Sequence, residues 1–203
     1  MKTLLLLSGG LDSTILLAEL LKQGRVVETL TFDYGQTHPV EIEKAKHIAD
    51  VYNVPHTVLI LDAQKHKTFD EISQAFVPAR NLIFLSHALN YALNNGCDCI
   101  VIGVNRTDEQ GFPDCRIPFI EAVQQAFNTG SPTHVKIEAP LIDKTKAEIV
   151  AQGQQLGVDF SLTNTCYFPE NKLACGKCES CLVRLDAFEK NKLRDNVKYA
   201  ERD

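Results

Sequence analysis

Apolar residues along the chain fall into two alternating kinds of run. Residues 4–7 form an unbroken apolar stretch of strand length, and after a polar, glycine-rich turn the apolar positions of 15–21 continue as a helix. The same alternation recurs. It predicts strands at 26–32, 58–61, 99–104 and 135–139, with helices at 40–52, 81–94, 118–128 and 144–156 between and after them. The long helix carries Leu82, Leu85, Ala88, Leu89, Ala92 and Leu93 on one face, and Gly157 marks the end of the last of these helices. Strands alternating with helices imply right-handed crossovers and a mostly parallel sheet covered on both faces. The expected fold is therefore α/β, a Rossmann-like open parallel sheet. Ligands of such sheets sit beyond the carboxyl ends of the strands, so chemistry is to be sought after the first, second and fourth.

Composition narrows this picture without changing it. With 203 residues, 44% apolar and 23% charged, the chain is neither disordered nor fibrous, and one domain over 1–203 is expected. Within it, 1–160 reads as a nucleotide-binding core and 161–190 as a cysteine-rich element. A net charge of -5 provides no general attraction to a phosphate backbone, so no direct nucleic-acid partner is expected. The apolar run at 3–7 is too short for a membrane span or a signal peptide, which points to a cytoplasmic protein with no membrane contact. Seven cysteines are an odd number for a disulfide framework. Without a leader they read as reduced thiols or metal ligands.

The turn after the first strand reads SGGLDS, residues 8–13. Paired glycines let the backbone approach an anion, and serine hydroxyls with the amides of a helix N-terminus bind phosphate oxygens. The lysine of GxxxxGK[ST] and the third glycine of GxGxxG are both missing. A plain strand-to-helix turn with Asp12 or Ser13 as N-cap explains the glycines equally well. Further on, Cys166, Cys175, Cys178 and Cys181 follow a C-x8-C-x2-C-x2-C pattern in a polar, turn-rich stretch. Four thiolates at this spacing, with Gly176 freeing a turn, fit a closed tetrahedral Zn²⁺ site. An iron–sulfur cluster is the competitor. Cys97, Cys99 and Cys115 lie outside the pattern.

SGGLDS after a first strand resembles the pyrophosphate loop of the N-type ATP pyrophosphatases. That resemblance implies ATP binding by Ser8, Gly9, Gly10, Leu11, Asp12 and Ser13, and a carboxylate beside the phosphates implies Mg²⁺. Three further segments, FDYGQTH (32–38), VPARN (77–81) and GVNRTDEQGFPDCR (103–116), together with TCYFPENKLACGKCESC, resemble the 7-cyano-7-deazaguanine synthase (QueC) family of queuosine biosynthesis. The likeness runs in register from about residue 3 to about residue 190. It implies a substrate, 7-carboxy-7-deazaguanine, that is flat and carries a carboxylate, with ammonia as the second substrate and a homodimer as the assembly.

On this resemblance Tyr34, Gln36, Arg80, Asn81, Asp108, Phe112, Asp114 and Arg116 are substrate-binding candidates, and Asp12, Ser13 and Arg80 catalytic ones. Arg80 or Arg116 suits the carboxylate or a phosphate. Asp108 and Asp114 suit a guanine-like N1–H and exocyclic amine, and Phe112 or Tyr34 suits the ring. Between the third strand and VPARN the chain has only residues 62–76, where this family usually has a longer segment. The implied reaction transfers AMP to the carboxylate, lets ammonia form the amide, and activates the amide oxygen again to reach the nitrile. A relative that stops at the amide, a tRNA-thiolating pyrophosphate-loop enzyme and a non-catalytic adaptor are the alternatives. Replacing Asp12 by Ala is expected to abolish turnover and leave the fold intact.

Overall fold

In the computed structural model, which describes residues 1–36, 40–61, 79–132, 134–170 and 173–200, the apolar run near the start is strand β1 (Lys2–Leu6), the middle of a five-stranded sheet. β2 (Val26–Asp33) and β3 (His56–Ile60) lie on one side of it, β4 (Cys99–Val101) and β5 (Lys136–Glu138) on the other. The order is β3-β2-β1-β4-β5 and every pairing is parallel. Parallel sheets are covered on both faces, which is why β1 alternates between two cores without a polar position from Leu4 to Leu7. Leu5 and Leu7 pack with Leu16, Ile48, Ile149 and Phe188. Leu4 and Leu6 pack with Leu85, Ala88, Ile120 and Phe127.

Helices α1 (Leu11–Lys22), α2 (Val40–Val51), α5 (Lys146–Gln155) and α6 (Glu179–Lys190) supply the first core. Helices α3 (Arg80–Asn95) and α4 (Ile117–Gly130) supply the second. The strand expected to reach residue 104 stops at Val101. Ile102 still donates to the Glu138 carbonyl at 3.0 Å, but β5 ends there and the backbone turns away with no further neighbour. Single helical turns at Asp108–Gln110, Pro113–Cys115 and Phe160–Leu162 escape a reading based on periodicity, because three residues carry no period. The N-cap of α1 is Gly10, in extended conformation and without a side-chain cap, so neither Asp12 nor Ser13 takes that role. Gly157, with φ +71, follows the α5 C-cap Leu156 as anticipated.

The strand order reverses between β1 and β4, so the segments that leave their carboxyl ends diverge and open a crevice. Residues 8–13 and 103–116 form its two lips. The shortened segment at 62–76 lies outside the described residues, as do Thr37, His38, Val77 and Pro78 of the motifs above. Among the described residues no helix is long and apolar enough to cross a membrane.

Candidate functional site

Gly9 takes φ +76, and a Cβ placed there would lie 2.5 Å from the Glu41 carbonyl oxygen and 2.8 Å from the Ala45 nitrogen. Only glycine lets the turn rest against the first turn of α2. Inside the turn the Ser8 and Ser13 hydroxyls lie 3.1 Å apart, Ser8 N–H donates to Ser13 Oγ at 3.2 Å, and Gly10 N–H donates to Ser8 Oγ at 3.2 Å. Ser13 is buried and Ser8 exposed, so the turn shows one hydroxyl outward and fixes its own shape with the other. Because α1 has no side-chain cap, its opening amides remain available to an anion. Helix α5 is the contrast: Thr145 and Glu148 close it with a reciprocal capping box. Leu11 is wholly buried in the first core, which leaves its backbone as the part able to serve a ligand.

Asp12 is the polar centre of the crevice. Its Oδ2 accepts from Lys146 Nζ at 2.6 Å and from Asn105 Nδ2 at 3.1 Å. Its Oδ1 is buried with no hydrogen-bond partner among the described residues. Asn105, itself completely buried, also donates to Asp108 Oδ2 at 2.6 Å, while its own oxygen accepts from the amides of Thr107 at 2.8 Å and Asp108 at 3.3 Å. One amide group thus joins the carboxylate that follows β1 to the carboxylate that follows β4. Burial pushes the Asp108 carboxyl up to about 6. Lys146 and Arg80 oppose that rise and Asp12 adds to it. Burial also works against the Lys146 charge, but Asp12 and Asp108 outweigh it and hold the ammonium above its ordinary value.

Arg80 opens α3 directly after Ala79, a non-glycine residue at φ 55. Such left-handed backbone costs about 1–3 kcal/mol and is retained where surrounding structure enforces it. Burial disfavours the guanidinium, yet Tyr34, Asp114 and Glu41 hold its pKa above the ordinary value. Tyr167, next to the first cysteine of the cluster, is pushed up by burial and by Asp108, with Arg80 and Lys146 opposing. Six separate segments therefore bring Asp12, Arg80, Asp108, Lys146, Tyr34 and Tyr167 into one electrostatic neighbourhood.

Other candidates have structural duties. Asp114 accepts from the Asn81 amide at 3.0 Å, capping α3 from a distance, and Asn81 Nδ2 returns to the Asp114 carbonyl at 3.1 Å. Gln36 folds back on the end of β2, accepting from Tyr34 N–H at 3.0 Å and donating to the Phe32 carbonyl at 3.3 Å. Tyr34 leans on Phe84, itself stacked on Phe32. Phe112 packs against the second core. Arg116 is exposed, with Nε on the Glu109 carbonyl at 3.2 Å, and does not join the cluster around Asp12.

Cys166, Cys175, Cys178 and Cys181 bring their sulfurs within 4.8 Å of one another. A tetrahedral ion with bonds of about 2.3 Å needs thiolates about 3.8 Å apart, so the four fit a single metal. A cubane cluster interposes its own irons and sulfides and needs its ligands farther apart. Cys175 N–H points at Cys166 Sγ (3.2 Å) and Cys178 N–H at Cys175 Sγ (3.3 Å), as expected where sulfur carries negative charge. Cys97, Cys99 and Cys115 are buried elsewhere, and burial pushes the last two up to about 12, so they stay protonated.

The cysteine element is tied to the 8–13 turn through residues 163–165. Asn164 N–H donates to the Gly9 carbonyl at 2.9 Å. Arg184, 1% exposed, donates to Thr163 Oγ1 at 2.7 Å and the Phe160 carbonyl at 3.1 Å, and pairs with Asp195 at 2.6 Å. Asn105, Lys146, Asn164, Arg184 and Tyr167 are the residues that motif reading passed over. For Lys146 a signal existed, since the Thr145-x-x-Glu148 pattern fixes it as the first residue of a helix.

Comparison with known proteins gives one consistent result. The family described as "Queuosine biosynthesis protein QueC" matches residues 2–192. A 7-cyano-7-deazaguanine synthase from Leptospira interrogans is 40% identical over 93% of this chain and 86% of its own length. Those of Acetivibrio thermocellus, 39% identical over 99% of both chains, and Citrifermentans bemidjiense, 42% identical over 98% and 97%, are similar throughout. Among solved structures, the U34-tRNA thiolase NcsA of Methanococcus maripaludis, with its four-iron four-sulfur cluster, aligns at TM-score 0.56 and 18% identity, covering 94% of this chain and 66% of that one. NMN synthetase from Francisella tularensis aligns at TM-score 0.55 and 15% identity over 95% and 77%. At those identities the shared feature is the fold.

Proposed function

The chain belongs to the QueC family, the ATP-dependent 7-cyano-7-deazaguanine synthases of queuosine biosynthesis, and from that premise we propose that it converts 7-carboxy-7-deazaguanine and ammonia to the nitrile at the crevice between β1 and β4, through an adenylated acid and an adenylated amide. The observation that carries this reading is the convergence of Asp12, Asn105, Asp108, Arg80 and Lys146 where the uncapped start of α1 meets the segment after β4.

A carboxylate resists ammonia because its leaving group would be oxide, and transfer of AMP replaces that leaving group with a phosphate ester. Residues 8–13 suit the departing pyrophosphate, with Ser8 outward and the opening amides of α1 free to stabilise its charge. Lys146 adds a buried cation beside them. The partnerless Asp12 Oδ1 is a hard anionic oxygen of the kind Mg²⁺ takes, so Asp12 would hold that ion, and the ion would supply neutralisation of phosphate charge. Arg80 suits the carboxylate of the substrate, and Tyr34 and Tyr167, which both interact electrostatically with Arg80, are aromatic residues suited to the ring. No covalent carrier is needed, in keeping with protonated Cys99 and Cys115. Catalysis is then mainly positioning and electrostatics. The four-cysteine site is read as structural zinc, which leaves no open position for chemistry. We read the chain as one unit, 1–160 with the cysteine element at 161–190 on it, acting as a cytoplasmic homodimer.

Mass spectrometry of the product from the deazaguanine acid, ATP, Mg²⁺ and ammonium tests the reading. The nitrile is expected, with two AMP per nitrile. Accumulation of the amide identifies an amide-forming relative, and no consumption of the acid overturns the substrate assignment.

A further inference from the structure

Conversion of ammonia to a nitrile nitrogen removes all three of its protons, and the steps above name no group to take them. We propose that Asp108 is the proton acceptor, an inference that rests on the crevice being the site of the deazaguanine acid. Around Lys146 and Arg80 the described carboxylates are Asp12, Asp108, Asp114 and Glu41. Asp12 is bonded to Lys146 at 2.6 Å. Asp114 is committed to the first turn of α3. Glu41 faces Arg80 from α2, and its own backbone is pressed against Gly9. Among the described residues Asp108 caps no helix and forms no ion pair; the neutral side-chain amide of Asn105 holds it, the same amide that reaches Asp12.

Asn105 also fixes its direction. That side chain is fully buried, both of its ends are engaged, and it holds Asp108 on the same side as Asp12. The other groups facing Asp108 cannot accept a proton at neutral pH. Lys146 and Arg80 are held as cations, Tyr167 beside the cysteine cluster is a phenol, and burial keeps the Cys115 thiol protonated. A carboxylate of raised proton affinity, mostly ionised near neutrality, is well matched to accept a proton and then release it to solvent.

The chemistry balances in three transfers. After ammonia adds to the acyl adenylate, an N–H bond breaks, its proton forms an O–H bond on Asp108, and the C–O bond to AMP breaks with its electron pair leaving on AMP. The amide oxygen next displaces pyrophosphate from a second ATP, and the resulting cation loses one N–H proton to Asp108. Loss of the last N–H proton to Asp108 then supplies the electron pair of the third C–N bond as the second AMP departs. Between transfers Asp108 returns each proton to water.

The test compares activation with nitrogen capture. Exchange of labelled pyrophosphate into ATP, with the acid and without ammonia, reports adenylation alone, whereas amide and nitrile formation require proton removal. In Asp108→Asn, which keeps the size and a hydrogen-bonding group, product formation relative to exchange is expected to fall about 100-fold. Asp108→Glu is expected to recover at least part of that ratio. The unaltered enzyme, assayed at constant free ammonia, is expected to lose kcat below pH 6, and Asp108→Asn to lack that limb. The proposal is overturned if exchange and product formation fall together in Asp108→Asn, if the ratio moves with Glu41→Gln instead, or if the unaltered enzyme shows no acid limb. Absence of exchange in the unaltered enzyme with the acid marks failure of the substrate reading itself.

Discussion

The 8–13 turn and the cysteine element face each other across the Asn164–Gly9 hydrogen bond, yet they are held in different ways. The turn is a continuation of the sheet. Leu7 and Leu11 on either side of it are buried, and Gly9 is seated on α2, so the core that folds the domain also shapes the turn. The cysteine element has only a small core of its own. Its apolar cluster is Cys166, Ala174, Cys175 and Cys181, with Cys178, Val197 and Tyr199 beside them, and its backbone pairing is two isolated bridges, Glu170 to Leu173 and Ala174 to Tyr199. Beyond α6, which lends Ala187 and Phe188 to the first core, what holds it is the four-cysteine set and one ion pair buried to 1% and 2% side-chain exposure. The lesson is that a site can depend on a neighbour far less robust than itself.

Removing the metal is the strongest way to break this asymmetry. Structural zinc is worth about 10–16 kcal/mol in zinc-finger peptides. Cys178→Ser or chelation is expected to release residues 163–185 to rapid amide exchange while β1, β2 and β4 stay protected, and to weaken ATP binding through the lost Asn164 support. One zinc per chain by elemental analysis is expected; iron with a visible absorption band would replace the zinc assignment.

At the turn itself, Asp12→Asn is expected to lower turnover by about 1,000-fold, the scale of a lost electrostatic stabiliser. Asp12→Ala does more than the sequence suggests. It leaves Lys146 buried without its anion, which corrects the expectation of an intact fold: a loss of about 3–5 kcal/mol is expected in denaturant unfolding, reduced where water reaches the lysine. A double change, Asp12→Ala with Lys146→Met, should regain much of that stability and none of the activity.

Arg184→Met attacks the other side. Asp195 would be left buried and unpaired, at a cost of about 3–5 kcal/mol, read as an earlier unfolding step of the cysteine element. Burial raises the proton affinity of Asp195, but Arg184 and Tyr199 outweigh it and hold the carboxyl below its ordinary value. Since the folded pKa is depressed, this contribution is present above the unfolded value near 3.9 and is lost as pH falls through the folded one. Acid is therefore expected to loosen the element in the unaltered protein, and the Met variant is expected to lack that transition. The smallest effect belongs to Thr145→Ala, about 1 kcal/mol of stability, with a rise in KM for ATP as Lys146 loses its fixed place at the start of α5.

The parts legible in sequence are those written in local spacing. Strand order aside, the five strands, the helices α1 to α5, the glycines of the turn and the four cysteines follow from periodicity or from a short pattern, whereas α6 and the single helical turns do not. Asn105 and Lys146 were not legible in that way. Each reaches Asp12 across the fold, 93 and 134 residues away in sequence, and as residue types they resemble ordinary surface polar groups. Arg116 differs in the other direction: it shares a motif with Asp108 and Asp114, but as N-cap of α4 it is exposed and stands apart from the cluster around Asp12. Asp114 and Asn81, also substrate-binding candidates, bind each other, since a helix that begins on a left-handed alanine finds its cap from another segment.

The hydrogen bond between residue 164 and residue 9 also sets an order on synthesis. The 8–13 turn is made before its brace, and the strands on either side of β1 are both present once β4 is out. Its last brace waits for Arg184, Asp195 and Tyr199. A chain halted before them would carry a complete SGGLDS turn and still lack the brace.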